Sequence, residues 1–250
     1  SAQPGQFVIV RGDEKGERVP LTIADFDKDT GLLTLVMQIV GLASHKLDDL
    51  REGDRVKDIV GPLGHASEIE NFGTVVFVGG GLGIAPVYPI QKAMKEAGNK
   101  VFSIIGFRNK DLVFWDDRMR ATSDTLYLMS DDGTVGEKGL VTVPLQRMID
   151  AGEKIDRVIA IGPPVMMRAV TEVTRPKNIK TIVSLNSIMV DGTGMCGGCR
   201  VEVGGETKFT CVDGPEFDAL AIDWDLLISR QRMYHEEEKC SLDRYVVATE

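Results

Sequence analysis

The residues best suited to chemistry lie in one short stretch, Asp191-Gly192-Thr193-Gly194-Met195-Cys196-Gly197-Gly198-Cys199, with Cys211 after eleven intervening residues. A Cys–x2–Cys pair with a third cysteine close by brings thiolates together on a small loop, a spacing that ordinary buried thiols rarely show. Three thiolates need a fourth ligand, whether the site holds a tetrahedral zinc or a 2Fe–2S cluster, and the spacing alone fits both. Glycines at 192, 194, 197 and 198 favour the cluster, because they free backbone amides to point at sulfur. Cys240 is remote in sequence, a candidate fourth ligand but more simply an unligated thiol. His45, His65 and His235 are scattered, and no Ser/His/Asp or paired-carboxylate arrangement accompanies them.

A second group of residues fits phosphate. The run Val75–Val78 leads into Gly79-Gly80-Gly81-Leu82-Gly83 and then into a helical pattern. Glycines there let a pyrophosphate approach the backbone and meet the helix amides. A second loop, Ile161-Gly162-Pro163-Pro164, also follows a strand and precedes a helix, and two such loops at one sheet edge make a nucleotide cleft. Arg18-Val19-Pro20-Leu21-Thr22 offers a guanidinium for phosphate and a hydroxyl for a ring nitrogen. Taken alone, a surface arginine and a strand threonine is the simpler reading. Val40-Gly41-Leu42-Ala43-Ser44 supplies further amides before a helix, or is merely a turn.

These residues need elements to hold them. Residues 1–72 contain short runs between turn signals: Phe7–Val10, Leu21–Ala24, Leu32–Ile39 and Arg55–Val60, with one helical stretch at Lys46–Leu50. That pattern predicts a small β-barrel. From Gly73 to Val183 strands at Val75–Val78, Val101–Ile105, Thr125–Met129, Val158–Ile161 and Lys180–Val183 alternate with helices at Val87–Ala97, Leu112–Arg120, Val141–Ala151 and Val165–Val173. Such alternation predicts a parallel sheet with ligands outside the strands' carboxyl ends. In residues 184–250 the regular pattern stops, apart from one helical stretch near Leu226–Glu238.

The bulk composition narrows the partners. A net charge of −9 argues against nucleic acid or an acidic membrane surface, which need a basic face. No apolar run approaches the ~20 residues of a bilayer span. Four cysteines, three of them crowded together, indicate a metal centre in a reducing, hence cytoplasmic, compartment rather than a disulfide scaffold. The first residues, Ser1 to Phe7, lead straight into a strand, as though earlier barrel strands were missing.

In this order the pieces resemble the ferredoxin–NADP reductase-like flavoproteins over nearly the whole chain. The likeness is nearest to small subunits of NADH-dependent reduced ferredoxin:NADP oxidoreductases. Electron-transfer subunits of dihydroorotate dehydrogenase and of sulfide dehydrogenase are similar. Arg18–Thr22 matches the family's Arg-x-Pro-Leu-Thr, which implies FAD with Arg18 near the pyrophosphate and Thr22 near the isoalloxazine. Val40, Gly41, Ala43 and Ser44 fall in its second flavin phosphate loop, and Gly61-Pro62-Leu63-Gly64 in its domain-closing turn. Gly80, Gly81 and Gly83, Asp131 with Asp132, and Gly162-Pro163 fall in the segments that hold NAD(H).

The resemblance implies a β-barrel FAD domain, an α/β parallel-sheet nucleotide domain and a C-terminal iron–sulfur loop. Asp191 stands where related loops carry a cysteine, so the implied ligands are Asp191, Cys196, Cys199 and Cys211. Hydride would pass between nicotinamide and flavin, and the cluster would relay single electrons to a larger FAD/iron–sulfur flavoprotein, with ferredoxin served indirectly. Ile161 replaces a cysteine found in many relatives, so no side chain there is expected to take part. Asp131 suits a ribose 2′-hydroxyl and repels a 2′-phosphate, a preference that Arg108 could offset. Two other readings remain: the same module serving dihydroorotate dehydrogenase, whose loop would begin with cysteine, and a zinc-stabilised nucleotide-binding regulator.

Overall fold

The computed structural model describes residues 2–249. Strands β1 (Phe7–Arg11), β2 (Val19–Phe26), β3 (Leu33–Leu35) and β4 (Asp58–Leu63) form an antiparallel, barrel-like sheet in the order β3-β2-β1-β4, with helix α1 (Leu42–Asp48) between β3 and β4. Phe7, Val8, Ile9 and Val10 are all buried because β1 sits in the middle of this sheet. The strand expected over Leu32–Ile39 shrinks to β3. Leu35 packs beside Val8, Val10 and Ile23, but the two ends of the stretch are uncovered: Leu32 is 67% and Ile39 43% exposed.

The next segment runs β5 (Thr74–Gly80), α2 (Ile84–Glu96), β6 (Lys100–Phe107), α3 (Asp116–Ala121), β7 (Thr125–Ser130), β8 (Glu137–Lys138), α4 (Thr142–Asp150), β9 (Arg157–Ile161), α5 (Pro164–Thr174) and β10 (Thr181–Ser184). The strands lie parallel in the order β10-β9-β5-β6-β7-β8. Side chains alternate across a strand, so the run in β5 feeds two cores. Val76 and Val78 pack with Leu145, Met167 and Val170 on one face; Val75 and Phe77 pack with Val87, Ile90 and Met119 on the other. All four β5 side chains are fully buried, each worth about 1.5–3 kcal/mol.

After β10 the chain is more regular than its sequence pattern predicts. Strands β11 (Arg200–Val203) and β12 (Glu206–Phe209) form a hairpin, followed by α6 (Thr210–Asp213), β13 (Glu216–Asp218), α7 (Trp224–Gln231) and α8 (His235–Thr249). Strand β13 joins the large sheet antiparallel to β10, with Ser184 opposite Glu216. The single helical stretch expected near Leu226–Glu238 is two helices, α7 being capped by Asp223, which accepts from Leu226 N–H. No helix among the described residues is long and apolar enough to cross a membrane.

Three contacts bind the parts together. Helix α2 packs on β2. Arg118 of α3 lies over the Trp115 and Tyr88 rings, 4.6 and 5.5 Å from their centroids, and pairs with Asp25 of β2 at 3.2 Å. The turn Gly61–Gly64 meets the return from the cysteine loop, where His65 N–H donates to Gly214 O at 2.7 Å.

Candidate functional site

The nucleotide-binding residues expected from sequence assemble at the carboxyl ends of the parallel strands. β5 and β9 are neighbours, which sets the loop Gly80–Gly83 against Gly162-Pro163. At Gly83 the two loops touch through backbone, where a Cβ would lie 2.2 Å from Ile161 O, and at Gly80 the side chain of Met166 from α5 closes in, 2.3 Å from where a Cβ would lie. A Cβ on Gly81 would meet nothing within 4 Å, so that position faces open space. Helix α2 begins directly behind it; its first N–H, that of Ile84, is already taken by the carbonyls of Gly81 and Leu82, and Pro86 has none to offer. Asp131 and Asp132 follow β7, at the same edge. Asp132 Oδ1 accepts from Thr134 N–H and Oγ–H at 2.9 and 2.7 Å, which hold its pKa below the ordinary carboxylate value. Asp131 stays exposed.

In the barrel-like half, Val19, Pro20, Leu21 and Thr22 form the first half of β2, with Thr22 paired to Phe7. The amides of Val40 and Gly41 both donate to Ser44 Oγ, at 2.8 and 2.9 Å, and Ser44 Oγ donates to Gly41 O. These two amides are therefore engaged. The phosphate donors this segment offers are the first-turn N–H groups of α1, Leu42 and Ala43. Arg18 Nε and Nη2 reach Val190 O and Asp191 O, at 2.9 and 3.0 Å.

The cysteine loop presents its four donors as two pairs. Cys199 Sγ and Cys211 Sγ are 3.2 Å apart, both free thiols and both buried against Phe7, Ile9 and Met189. Cys196 Sγ lies 3.4 Å from Asp191 Oδ1. Burial, with Cys199 beside it, pushes the Cys211 thiol up to about 12. Asp191 goes the other way, held below the ordinary range first by Thr193 N–H and then by Cys196 and Met195. Gly198 N–H points at Cys196 Sγ and Cys211 N–H at Cys199 Sγ, at 3.4 and 3.5 Å, the amide-to-sulfur pattern that a cluster loop needs. Gly192 and Gly194 take φ of +76° and +86°, which only glycine adopts without strain.

Among the described residues, no three His, Cys, Asp or Glu side chains gather around one point as a single metal ion requires. Two separate donor pairs, Asp191 with Cys196 on the loop and Cys199 with Cys211 of α6, suit a two-iron cluster better than a tetrahedral zinc. Cys240 is exposed on α8, which packs on α1.

The chain is similar to several known proteins. Residues 186–223, which contain all four donors, match the iron–sulfur cluster binding domain of dihydroorotate dehydrogenase B. The electron transfer subunit homolog of dihydroorotate dehydrogenase B (NAD(+)) from Thermotoga maritima is 50% identical over 98% of this chain and 86% of its own. This chain belongs to the family of dihydroorotate dehydrogenase B electron-transfer subunits and their homologues. Within that family it is also similar to a chain in the structure of NADH-dependent reduced ferredoxin-NADP oxidoreductase, studied for flavin-based electron bifurcation. The identity there is 48%, with a TM-score of 0.93, over 98% of this chain and 88% of that one. The cytochrome P450 reductase GcoB of Amycolatopsis shares the fold alone, at 22% identity and a TM-score of 0.62 over 72% of this chain and 58% of its own.

For an electron-transfer subunit of this family, sequence pattern leaves out the residues that hold the loop's carbonyls. Arg200 Nη1 donates to Gly197 O at 3.2 Å and Arg230 Nη2, from α7, to Gly198 O at 3.1 Å. Arg200 directly follows Cys199 and could have been suspected on that ground. Nothing in the spacing points to Arg230.

Proposed function

We propose that this chain is the NAD(H)-linked electron-transfer subunit of a flavin-based electron-bifurcating ferredoxin:NADP oxidoreductase. It carries one FAD on residues 1–72, NAD(H) on residues 73–183 and one 2Fe–2S cluster on residues 184–250. Its partner is a larger FAD/iron–sulfur flavoprotein subunit, with ferredoxin served indirectly, and thiolate ligation suits the cytoplasm. The observation that carries this reading is the acid–thiol pair Asp191–Cys196 beside the thiol pair Cys199–Cys211, in a chain that is similar from end to end to a chain of such an oxidoreductase.

Bound flavin supplies the conversion between two-electron nicotinamide chemistry and the one-electron steps a cluster accepts. The chain's own residues bind and orient. Gly81 faces the open space where a pyrophosphate fits, at the N-terminal end of α2, while Gly80, Gly83 and Gly162 with Pro163 let the two loops close on each other. Asp131 accepts from a ribose hydroxyl. Arg18 and α1's first amides face the flavin phosphates, while Thr22 offers its hydroxyl to the ring. Asp191, Cys196, Cys199 and Cys211 donate to iron. The chain contributes position and electrostatics rather than a proton donor or acceptor.

A second reading, the electron-transfer subunit of a dihydroorotate dehydrogenase, is favoured by the Thermotoga maritima relative and by the match at residues 186–223. Copurification of the native complex with a cofactor count separates the two. One FAD and one 2Fe–2S per chain, with a partner that holds further FAD and clusters, is expected. Zinc in place of iron, absence of flavin, or a partner that oxidises dihydroorotate refutes the proposal.

A further inference from the structure

Arg18 belongs by sequence to the flavin motif, yet its side chain crosses to a segment more than 170 residues away. Nε takes the carbonyl of Val190 and Nη2 that of Asp191. These carbonyls belong to the two peptides that flank the Asp191 Cα. A planar, permanently charged guanidinium that grips both fixes the backbone angles of Asp191 and so the direction of its side chain. The carboxylate in turn collects the N–H groups of Thr193, Met195 and Cys196, so the first half of the loop winds around it.

The neighbouring residues lean on the same barrel wall. A Cβ on Gly192 would lie 2.8 Å from Ile9 Cγ1, and Met189 shares a core with Phe7 and Ile9. The far half of the loop has separate anchors, Arg200 on Gly197 O and Arg230 on Gly198 O. Arg18 Nη1 bonds to none of the described residues, which leaves that edge of the guanidinium for an anion.

We propose that Arg18 is a positioning residue for the cysteine loop: it pins both peptides around Asp191 to the flavin strand, so that the barrel sets the geometry of the acid–thiol pair. Its relevance to electron transfer rests on the proposed function, but the contact itself does not.

The test is amide hydrogen exchange on the full chain, free of flavin and iron, comparing wild type with Arg18→Lys and Arg18→Gln. Lysine keeps the charge but cannot bridge two carbonyls with a rigid fork. Both variants should exchange the amides of Thr193, Met195 and Cys196 at least about tenfold faster, while β5 and β11 keep wild-type protection. Unchanged exchange at 193–196, full protection in Arg18→Lys, or an equal loss of protection in β5 would each overturn the proposal. If Arg18→Gln does not fold, Arg18→Lys decides alone. In iron-reconstituted protein, Arg18→Lys should also shift the electron paramagnetic resonance of the reduced site, and an identical spectrum would count against the positioning role. A wild-type chain that holds no cluster would refute the proposed function and leave the exchange result standing.

Discussion

Replacing Gly83 by alanine tests the contact between the two nucleotide loops. Gly83 has an ordinary φ of −59°, so alanine brings no backbone strain and the effect is purely steric. Its Cβ would lie 2.2 Å from Ile161 O, 2.6 Å from Ile161 C and 2.8 Å from Gly162 Cα, all backbone atoms with no rotamer to turn away. Because Cβ atoms are not found closer than 3.0 Å to such neighbours, the loops must part by about 0.8 Å or more. Overpacking of this kind costs about 1–3 kcal/mol. At about 2–4 °C per kcal/mol for a chain of this size, Tm should fall by roughly 2–12 °C. A misplacement near an ångström also costs on the order of 10²-fold in rate when it separates reacting groups, so reduction of bound flavin by NADH should slow sharply. Differential scanning calorimetry and stopped-flow flavin bleaching read the two effects. Gly41→Ala is the control: its Cβ would meet nothing within 4 Å and its φ is −139°, so Tm should not fall, and reduced freedom of the unfolded chain can raise it by up to about 4 °C. A Gly83→Ala protein with wild-type Tm and wild-type reduction rate would refute the packing argument.

Asp191→Ala should abolish or strongly alter the cluster's visible and paramagnetic spectra while Cys240→Ser leaves them intact; the opposite pattern would move the fourth ligand to Cys240. With Asp132 engaged by Thr134, Asp131 is the carboxylate left for the ribose, so Asp131→Ser should raise the NADPH-to-NADH ratio of flavin reduction rates by about tenfold, near 1.4 kcal/mol. An unchanged ratio would remove Asp131 from dinucleotide choice. Burial raises the pKa of Glu216 above its ordinary 4.5, against the lowering effects of Ser67 and Arg157. The folded state thus holds its proton more tightly than the unfolded chain, and this contribution to stability is lost as pH rises through the folded pKa. Thermal melts from acid to neutral pH should therefore show Glu216→Gln gaining on wild type as pH increases, and parallel curves would contradict this.

The central parallel strands β5, β6 and β9 were legible as short, largely apolar runs buried on both faces, and β7 and β10 as less buried runs beside them, whereas β8, the exposed pair Glu137-Lys138, carries no such signal. The cysteine spacing foreshadowed the closeness of Cys199 to Cys211, at 3.2 Å, on either side of a hairpin. The β11–β12 hairpin could have been read from Val203-Gly204-Gly205-Glu206-Thr207, a two-glycine turn with β-branched Val203 before it and Thr207 after it. β13 could not: three residues long, it is a strand only because β10, distant in sequence, offers it an edge. Leu32–Ile39 failed for the opposite reason: only Leu33–Leu35 find a partner in β2, and the apolar pattern continues past the last pairing. Arg18 shows the limit for side chains. Its motif fixes which strand it starts, but where a long guanidinium lands depends on a loop folded from the other end of the chain.

The pairing of Ser184 with Glu216 means that the chain leaves the large sheet and returns to it at a single place. Everything that carries the cysteines is thus a detour between two adjacent strand positions, a gap that antiparallel strands can bridge with a tight turn. Lengthening such a detour costs only about 0.6 kcal/mol per doubling. The detour is short in topology but not in packing: Leu185 and Val201 complete the core under the large sheet and Met189 reaches the barrel wall, so one excursion of the chain fastens both halves at once.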